Sequence, residues 1–445
     1  MKSLLRDNFC SSPWFHIRID PAGNYLPCRW GDQWEALANP TQCNINNTIL
    51  SEYMNSDQMS QLRLQLLNGE VPKICKSCKY EEQHNKVNGR QRQLLKSAIN
   101  LNTFEKSICA SPHYTLFEHS LNNQGHTDYL PTDLQIDLGT TCNGACIMCS
   151  PKYSSKLAAD YVKLNQIDPR LFVEVPSVKN WTDDPVLIER FINDISEIKN
   201  LKYIHFIGGE TLYLKSFYTI CNKLIELDLA KNISMGTTTN CSIYSDELEY
   251  IIKKFNHVHI GLSVECIHKL NDYVRWPAEI DTVVSNLEKF IALREQTGIH
   301  LSLRITPNVF TVFHLDTIFE FMIKHQITAE SCDILREPTC LKIELLPKEL
   351  AEIILTKINT IISKYQLIKS DQVIINRRSD SLVSPVISDV IFEYQRLLET
   401  YQAPTNVEEE RHNLVKFVKA FESLRNNTIL SYLPEYEEFL RSYGY

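Results

Sequence analysis

Nowhere in these 445 residues is there a run of about 20 apolar residues that could span a bilayer core, so no membrane partner is expected. The opening stretch MKSLLRDNFCSSPWF lacks an apolar run of about 7–15 residues ahead of a small-residue cleavage site. A secretory signal is therefore not expected, and a cytoplasmic location is. Basic charge is not in excess: 46 Lys and Arg stand against 54 Asp and Glu, a formal net charge of −8. That balance speaks against a broad phosphate-tracking surface and a nucleic-acid partner, while leaving room for a local patch. No Gly-Lys-Ser/Thr phosphate loop occurs. No Ser-His-Asp or paired-carboxylate set stands at an informative spacing. The 13 histidines are scattered, and His205, inside a strand pattern, reads as a packed or hydrogen-bonded interior residue. Internal repeats shorter than a βα unit and low-complexity tracts are also missing.

Against these absences stand 14 cysteines. In a reducing compartment thiols bind metal or do chemistry more readily than they pair as disulfides. Three of them, Cys142, Cys146 and Cys149, form a Cys-x3-Cys-x2-Cys array in DLGTTCNGACIMCSPKYSSK. A structural zinc ion takes four protein ligands, usually from cysteine pairs. Three thiolates on one loop instead suggest a metal centre with one position open to something other than protein. Cys10, Cys28 and the pair Cys75 and Cys78 form a second group, with Cys43 and Cys109 as spare thiols able to replace a member. Cys221 and Cys266 read as ordinary buried apolar residues.

The length favours two or three domains. From about Asp133, strand-like and helical patterns alternate. DLQIDLG runs into the cysteine loop; PVLIERFINDISEI places Ile188, Phe191, Ile192, Ile195 and Ile198 on one helical face; LKYIHFI stops at GGE. The cycle returns through ISMGTTTN, HVHIGLSVE and HLSLRIT. About six such units predict an α/β fold with a parallel sheet or partial barrel. The cysteine loop, GGET, TTTNCS and SVE all fall at or just beyond strand C-terminal ends, where such folds build their sites. Residues 1–100 have a different texture, with a hairpin expected around DPAGN. Residues 101–132 read as a connector, 133–345 as the barrel, and 346–445 as a helical region.

On these residues the chain acquires a family likeness. CNGACIMC resembles the signature loop of radical S-adenosylmethionine (SAM) enzymes. The resemblance implies a 4Fe-4S cluster on Cys142, Cys146 and Cys149 whose fourth iron is chelated by the amino and carboxylate groups of SAM. Reductive cleavage of SAM would then yield a 5′-deoxyadenosyl radical that removes hydrogen from a substrate. The same resemblance implies that Met148 lies against adenine and that Gly208, Gly209 and Glu210, the family's GGE, receive the methionine ammonium. Asn240 and Ser263 would face ribose and carboxylate, or else be helix-capping loop residues. Arg275, in LNDYVRWP, would pair with the SAM carboxylate or form a surface salt bridge.

The spacing of Cys10, Gly23 and Cys28, followed by Cys75 and Cys78, resembles the auxiliary-cluster module SPASM in its shortened twitch form. It implies a second 4Fe-4S cluster; a structural zinc site on the same four thiols stays open. Here the module precedes the barrel, an arrangement similar to a set of twitch radical SAM proteins that share the LP-E helix and a C-terminus like YLPEYEEF. Along most of its length the chain resembles proteusin-type peptide epimerases. That likeness implies a ribosomally made precursor peptide as substrate and an external one-electron reductant such as flavodoxin or ferredoxin. It also implies L-to-D conversion, in which a cysteine thiol returns hydrogen to the planar α-carbon radical. Cys340, in REPTCLKIELLP, is the first candidate donor and Cys332 the second. Peptide crosslinking, thioether or carbon–carbon, is the enzymatic alternative. An iron-sulfur scaffold or binding module is the non-enzymatic one, disfavoured by the joint presence of Cys142, Cys146, Cys149 and Glu210.

Overall fold

Side chains of a strand alternate between its two faces, and the strand patterns here alternate apolar with polar or small residues. They assemble into one sheet, seen in a computed structural model that describes residues 7–29, 43–83, 89–175, 178–329, 335–369 and 386–445. Among these residues the sheet has seven strands: β1 (His16–Ile19), β2 (Tyr25–Leu26), β3 (Asp133–Asp137), β4 (Tyr203–Ile207), β5 (Ser234–Thr239), β6 (Val258–Ser263) and β7 (His300–Arg304). Their order is β2-β1-β3-β4-β5-β6-β7, and all neighbours are parallel except the β1–β2 hairpin. The expected α/β partial barrel is present.

The hairpin turns at DPAGN. Asp20 accepts the Gly23 N–H at 2.9 Å through its carbonyl and the Asn24 N–H at 2.8 Å through its carboxylate. One strand has an origin that periodicity alone does not reveal. β1 pairs with β3 from His16↔Asp133 to Ile19↔Ile136, so the N-terminal cysteine segment is hydrogen-bonded directly into the barrel sheet. At the opposite edge, Ala329 makes an isolated parallel bridge to Leu303.

One face of the sheet carries Leu134, Ile136, Ile204, Phe206, Met235, Ile260, Leu262, Leu301 and Leu303, all buried. They share a core with the apolar stripes of the crossover helices. These helices are α1 (Ser155–Asn165), α2 (Pro185–Ser196), α3 (Lys215–Glu226), α4 (Asp246–Ile252), α5 (Ile280–Thr297) and α6 (Leu315–His325). The predicted face of α2 is the buried one. Its start is set by Asp184, whose carboxylate accepts the Val186 N–H, with Pro185 at the first helical position. Cys221 and Cys266 are fully buried, as expected of thiols acting as small hydrophobes.

The other face carries the alternate residues, among them Gln135, His205, Gly236, Thr238, His259, Gly261, Ser263, Ser302 and Arg304, and is polar. His205 is hydrogen-bonded through Nδ1 to the Tyr203 hydroxyl at 3.1 Å.

The N-terminal segment also has its own apolar cluster, built from Phe9, Trp14, Phe15, Leu94, Ile99, Phe104, Ile108 and Phe117. Beyond the barrel, α7 (Lys348–Lys364) and α8 (Ile387–Thr400) lie against each other. The last long helix, α9 (Val407–Arg425), returns to α1 and to the short turn Thr339–Leu341. Phe417 of α9 stacks on Phe172 with ring centroids 5.4 Å apart. Among the described residues no helix is long and apolar enough to cross a membrane.

Candidate cluster and cofactor site

The loop after β3 is fastened from several sides. Gly209 donates its N–H to Gly139 O at 2.9 Å, and Glu210 donates to Thr141 O at 3.2 Å. Ala145 and Ile147 donate to Trp276 O and Val274 O at 2.8 and 2.9 Å. The Ser154 hydroxyl donates to Gly144 O at 2.7 Å while capping α1 through the Leu157 N–H. This ladder lets a short sequence motif become a rigid bowl.

Two glycines show where the bowl is tight and where it is not. A Cβ on Gly209 would stand 2.4 Å from Thr141 O, so the second glycine of GGE is required by the cysteine loop itself. A Cβ on Gly144 would point between the Cys146 and Cys142 sulfurs, at 3.5 and 3.8 Å. Those are ordinary contact distances, so Gly144 is not required by space as Gly209 is.

Cys142, Cys146 and Cys149 line a cavity of about 360 Å³ together with Met148, Gly208, Gly209, Glu210, Asn240, Ser263 and Arg275. Every residue singled out in the barrel sequence for the cluster or for SAM is therefore brought to one place. Glu210 is buried there, and its carboxylate accepts the Asn240 N–H at 2.7 Å, the Thr239 hydroxyl at 2.7 Å and the Leu212 N–H at 3.3 Å. Burial pushes its pKa up, and these donors pull back in part. Asn240 reaches the cysteine loop through Nδ2 to Asn143 Oδ1 at 2.9 Å.

Arg275 makes an ion pair with a partner, Glu265, that the sequence does not single out. It is not at the surface: its guanidinium is buried against Glu265, donating to Oε1 from Nη2 at 2.7 Å, while Nη1 stands 3.9 Å from Cys146 Sγ. Glu265 lines the same cavity and escapes the sequence reading. A signal for it exists, because it follows β6 in SVE, at the same strand-end level as Ser263.

The second group of thiols also converges. Cys10, Cys28, Cys75 and Cys78 line one cavity of about 200 Å³, with Arg29, Arg90, Lys96 and Arg304 among the surrounding side chains. Cys43 and Cys109 line neither cavity, and Cys109 is exposed. Both cavities touch Ile207 at the end of β4.

The donor chemistry fits an iron-sulfur core at each place. Burial, then the charges of Cys146 and Cys142, push Cys149 up to about 12; burial foremost pushes Cys142 up to about 11 and Cys10 up to about 12. Buried thiols facing one cavity need a cationic centre to be held as thiolates. Soft thiolates select iron-sulfur or zinc centres, and cavities of about 360 and 200 Å³ lined by three and four thiols leave room for a multi-iron core.

The candidate hydrogen donors lie elsewhere. Cys340 is in the turn Thr339–Leu341, 1% exposed, and does not line either cavity. The turn is covered by α9, and Thr339 donates to Glu410 of that helix at 3.1 Å. The expected position across the mouth of the site is thus replaced by burial beneath the C-terminal helix. Cys332 falls outside the described residues.

Comparison with known proteins identifies two domains. Residues 136–304 match the Radical SAM superfamily, and residues 10–79 match SPASM, an iron-sulfur cluster-binding domain. No curated protein matches. Among solved structures, the chain is similar to Streptococcus suis SuiB bound to its precursor peptide SuiA, at 14% identity and a TM-score of 0.36, over 80% of this chain and 70% of SuiB. It is also similar to native anSMEcpe with bound AdoMet, at 17% identity and a TM-score of 0.34, over 53% of this chain. The match spans 61% of the anSMEcpe chain. With its cysteine loop at the end of β3 and its second thiol-bearing segment hydrogen-bonded into the same sheet through β1, this chain carries a Radical SAM superfamily domain and a SPASM iron-sulfur cluster-binding domain.

Proposed function

We propose that the chain modifies a ribosomally made peptide, using two 4Fe-4S clusters: a SAM-binding one on Cys142, Cys146 and Cys149, and an auxiliary one, in the twitch form, on Cys10, Cys28, Cys75 and Cys78. The observation that carries this reading is the meeting of the two thiol-lined cavities at Ile207. A substrate in the polar interior would have a centre on either side. A cluster with SAM bound supplies a 5′-deoxyadenosyl radical when reduced by an external donor such as flavodoxin or ferredoxin.

The chain's own residues bind and orient. Glu210 presents a carboxylate whose direction is set by the Asn240 and Thr239 donors, suited to a methionine ammonium. Met148 offers an apolar wall for adenine, and Ser263 offers a hydroxyl toward ribose or carboxylate. Arg275 could share its guanidinium between Glu265 and the SAM carboxylate.

The finer reading is L-to-D epimerisation. It needs a thiol, outside both clusters, that reaches the substrate. Cys340, buried beneath α9, would have to be uncovered to serve, and Cys332 is the second candidate. Crosslinking, thioether or carbon–carbon, needs no such donor and is the second reading.

Co-expression with an adjacent small precursor, followed by turnover in deuterated water, tests the choice. Epimerisation gives D residues carrying one deuterium at each inverted α-carbon. A product lighter by two hydrogens, with no solvent deuterium, overturns epimerisation in favour of crosslinking. Cys332→Ala should cleave SAM yet yield no D residues; normal epimerisation by that variant and loss in Cys340→Ala would assign the role to Cys340.

A further inference from the structure

The last residue of α9, Arg425, stands 280 positions from the cysteine loop in sequence and touches it in space. Its Nη2 donates to Ala145 O at 2.6 Å, in the middle of CNGACIMC, and to Asp160 Oδ2 of α1 at 3.0 Å. The side chain is 3% exposed. Its guanidinium lies 5.2 Å from the Trp276 ring centre and 4.3 Å from that of Phe421. Trp276 in turn accepts the Ala145 N–H through its carbonyl. Both backbone polar groups of Ala145 are therefore held, one by the segment before α5 and one by the C-terminal helix.

A buried guanidinium is costly unless its surroundings use the charge. Asp160 is one partner. Tyr273 and Cys146 are further neighbours; Cys146, the next residue after Ala145, has Arg275 and Arg425 as positive neighbours and Glu265 as a negative one. Nε and Nη1 of Arg425 are buried without a hydrogen-bond partner, so most of the fork serves position and charge. Both bonds come from Nη2 alone, so what lysine would lose is the flat guanidinium contact with the Trp276 and Phe421 rings.

We infer that Arg425 is a positioning residue of the SAM-site cluster: it fixes the cysteine loop at Ala145 and places positive charge beside Cys146, making the C-terminal helix part of the site. The inference rests on the reading that Cys142, Cys146 and Cys149 hold a cluster. Positive charge near a cluster favours its reduced, more negative state, and Asp160 opposes that effect.

The test is redox titration followed by electron paramagnetic resonance on the anaerobically reconstituted full chain, with the auxiliary cluster as internal control. A Cys142, Cys146 and Cys149 triple alanine variant gives the auxiliary signal alone and tests the underlying reading separately. If that variant retains all the iron of the parent, the cluster assignment fails, and the inference with it. Given the assignment, Arg425→Met should move the SAM-site midpoint to more negative potential. Asp160→Asn should move it the opposite way, with the auxiliary midpoint unchanged in both. Arg425→Lys should keep the midpoint near the parent value but alter the signal that appears on SAM addition. A merely structural role would shift both single-charge variants in the same direction, and that result, or no shift in either, overturns the inference. Should Arg425→Met lose SAM-site iron, Asp160→Asn decides alone: a midpoint moved to more positive potential supports the inference, and no shift or a negative one overturns it.

Discussion

The two thiol groups of this chain are built on opposite principles. The SAM-type loop draws its three cysteines from eight consecutive residues and is braced by main-chain hydrogen bonds to the ends of neighbouring strands. The N-terminal group draws four cysteines from a span running from residue 10 to residue 78: Cys10 precedes the short helix Ser12–Phe15, Cys28 follows β2, and Cys75 and Cys78 lie in two short helical segments. The first is a local motif set on a rigid sheet edge. The second depends on side-chain contacts to bring distant segments together, especially the aromatic cluster around Phe9, Trp14 and Phe117. Loop-closure entropy must be overcome in the second case and hardly at all in the first.

Disrupting the N-terminal aromatic cluster should have the largest effect. Trp14 is fully buried, meets Phe9 and Phe117 at centroid distances of 5.8 and 5.1 Å, and donates from Nε1 to the Ser120 hydroxyl at 2.8 Å. Trp14→Ala should cost about 3–5 kcal/mol. Iron analysis after reconstitution should show loss from the auxiliary site with the SAM-site signal retained. Equal loss from both would mean that the sheet, shared through β1, makes them one cooperative unit.

The reciprocal variant is Gly209→Ala. Its new methyl group would meet the Thr141 carbonyl, so backbone must move, at a cost of about 1–3 kcal/mol. Thermal unfolding and iron counts should show a modest loss of stability with disproportionate loss of SAM-site iron. A variant with full iron at that site would show the loop to be more compliant than its bonding suggests.

Glu210→Gln sharpens the contrast by leaving both cages intact. The amide keeps the shape and loses the charge, which should weaken SAM binding by about 1.5–3 kcal/mol, roughly a ten- to hundredfold rise in Kd. Equilibrium binding to the reconstituted protein checks this. Unchanged affinity would remove Glu210 from the ammonium site.

The smallest effect lies where the two regions join. Asp137, at the end of β3, is buried and pushed up to about 6, because desolvation outweighs Arg18 of β1 at 3.5 Å and the Gly139 N–H. Between the unfolded carboxyl pKa of about 4 and the folded value, the native chain keeps a proton that the unfolded chain has released. This contribution is fully present below the unfolded pKa and is lost as pH rises through about 6. Asp137→Asn should flatten that decline in urea midpoints of the metal-free chain between about pH 5 and 7. An unchanged slope would assign the decline to other groups.

The barrel is legible in the sequence because its signals are short-ranged. Periodicity marks the helical face of Ile188, Phe191, Ile192 and Ile195, and strand ends mark Cys142, Gly208, Glu210, Asn240 and Ser263. Glu265 obeys the same rule, yet nothing in its residue type separates it from other polar loop residues. Cys340 is not where its place in the chain suggests, because a position just past the last strand says nothing about which helix will later cover it. Arg425 gives no local signal at all.

By itself, then, the sequence determined the βα alternation, the two sets of thiols and the level at which the site residues stand, since hydrogen-bonded strands and helices repeat over a few residues. Only the tertiary structure decided that β1 joins the barrel sheet, that Arg275 is held by Glu265, that α9 buries Cys340, and that Arg425 reaches Ala145. These are contacts between segments far apart in the chain, and they depend on how whole elements meet, a property no local pattern encodes.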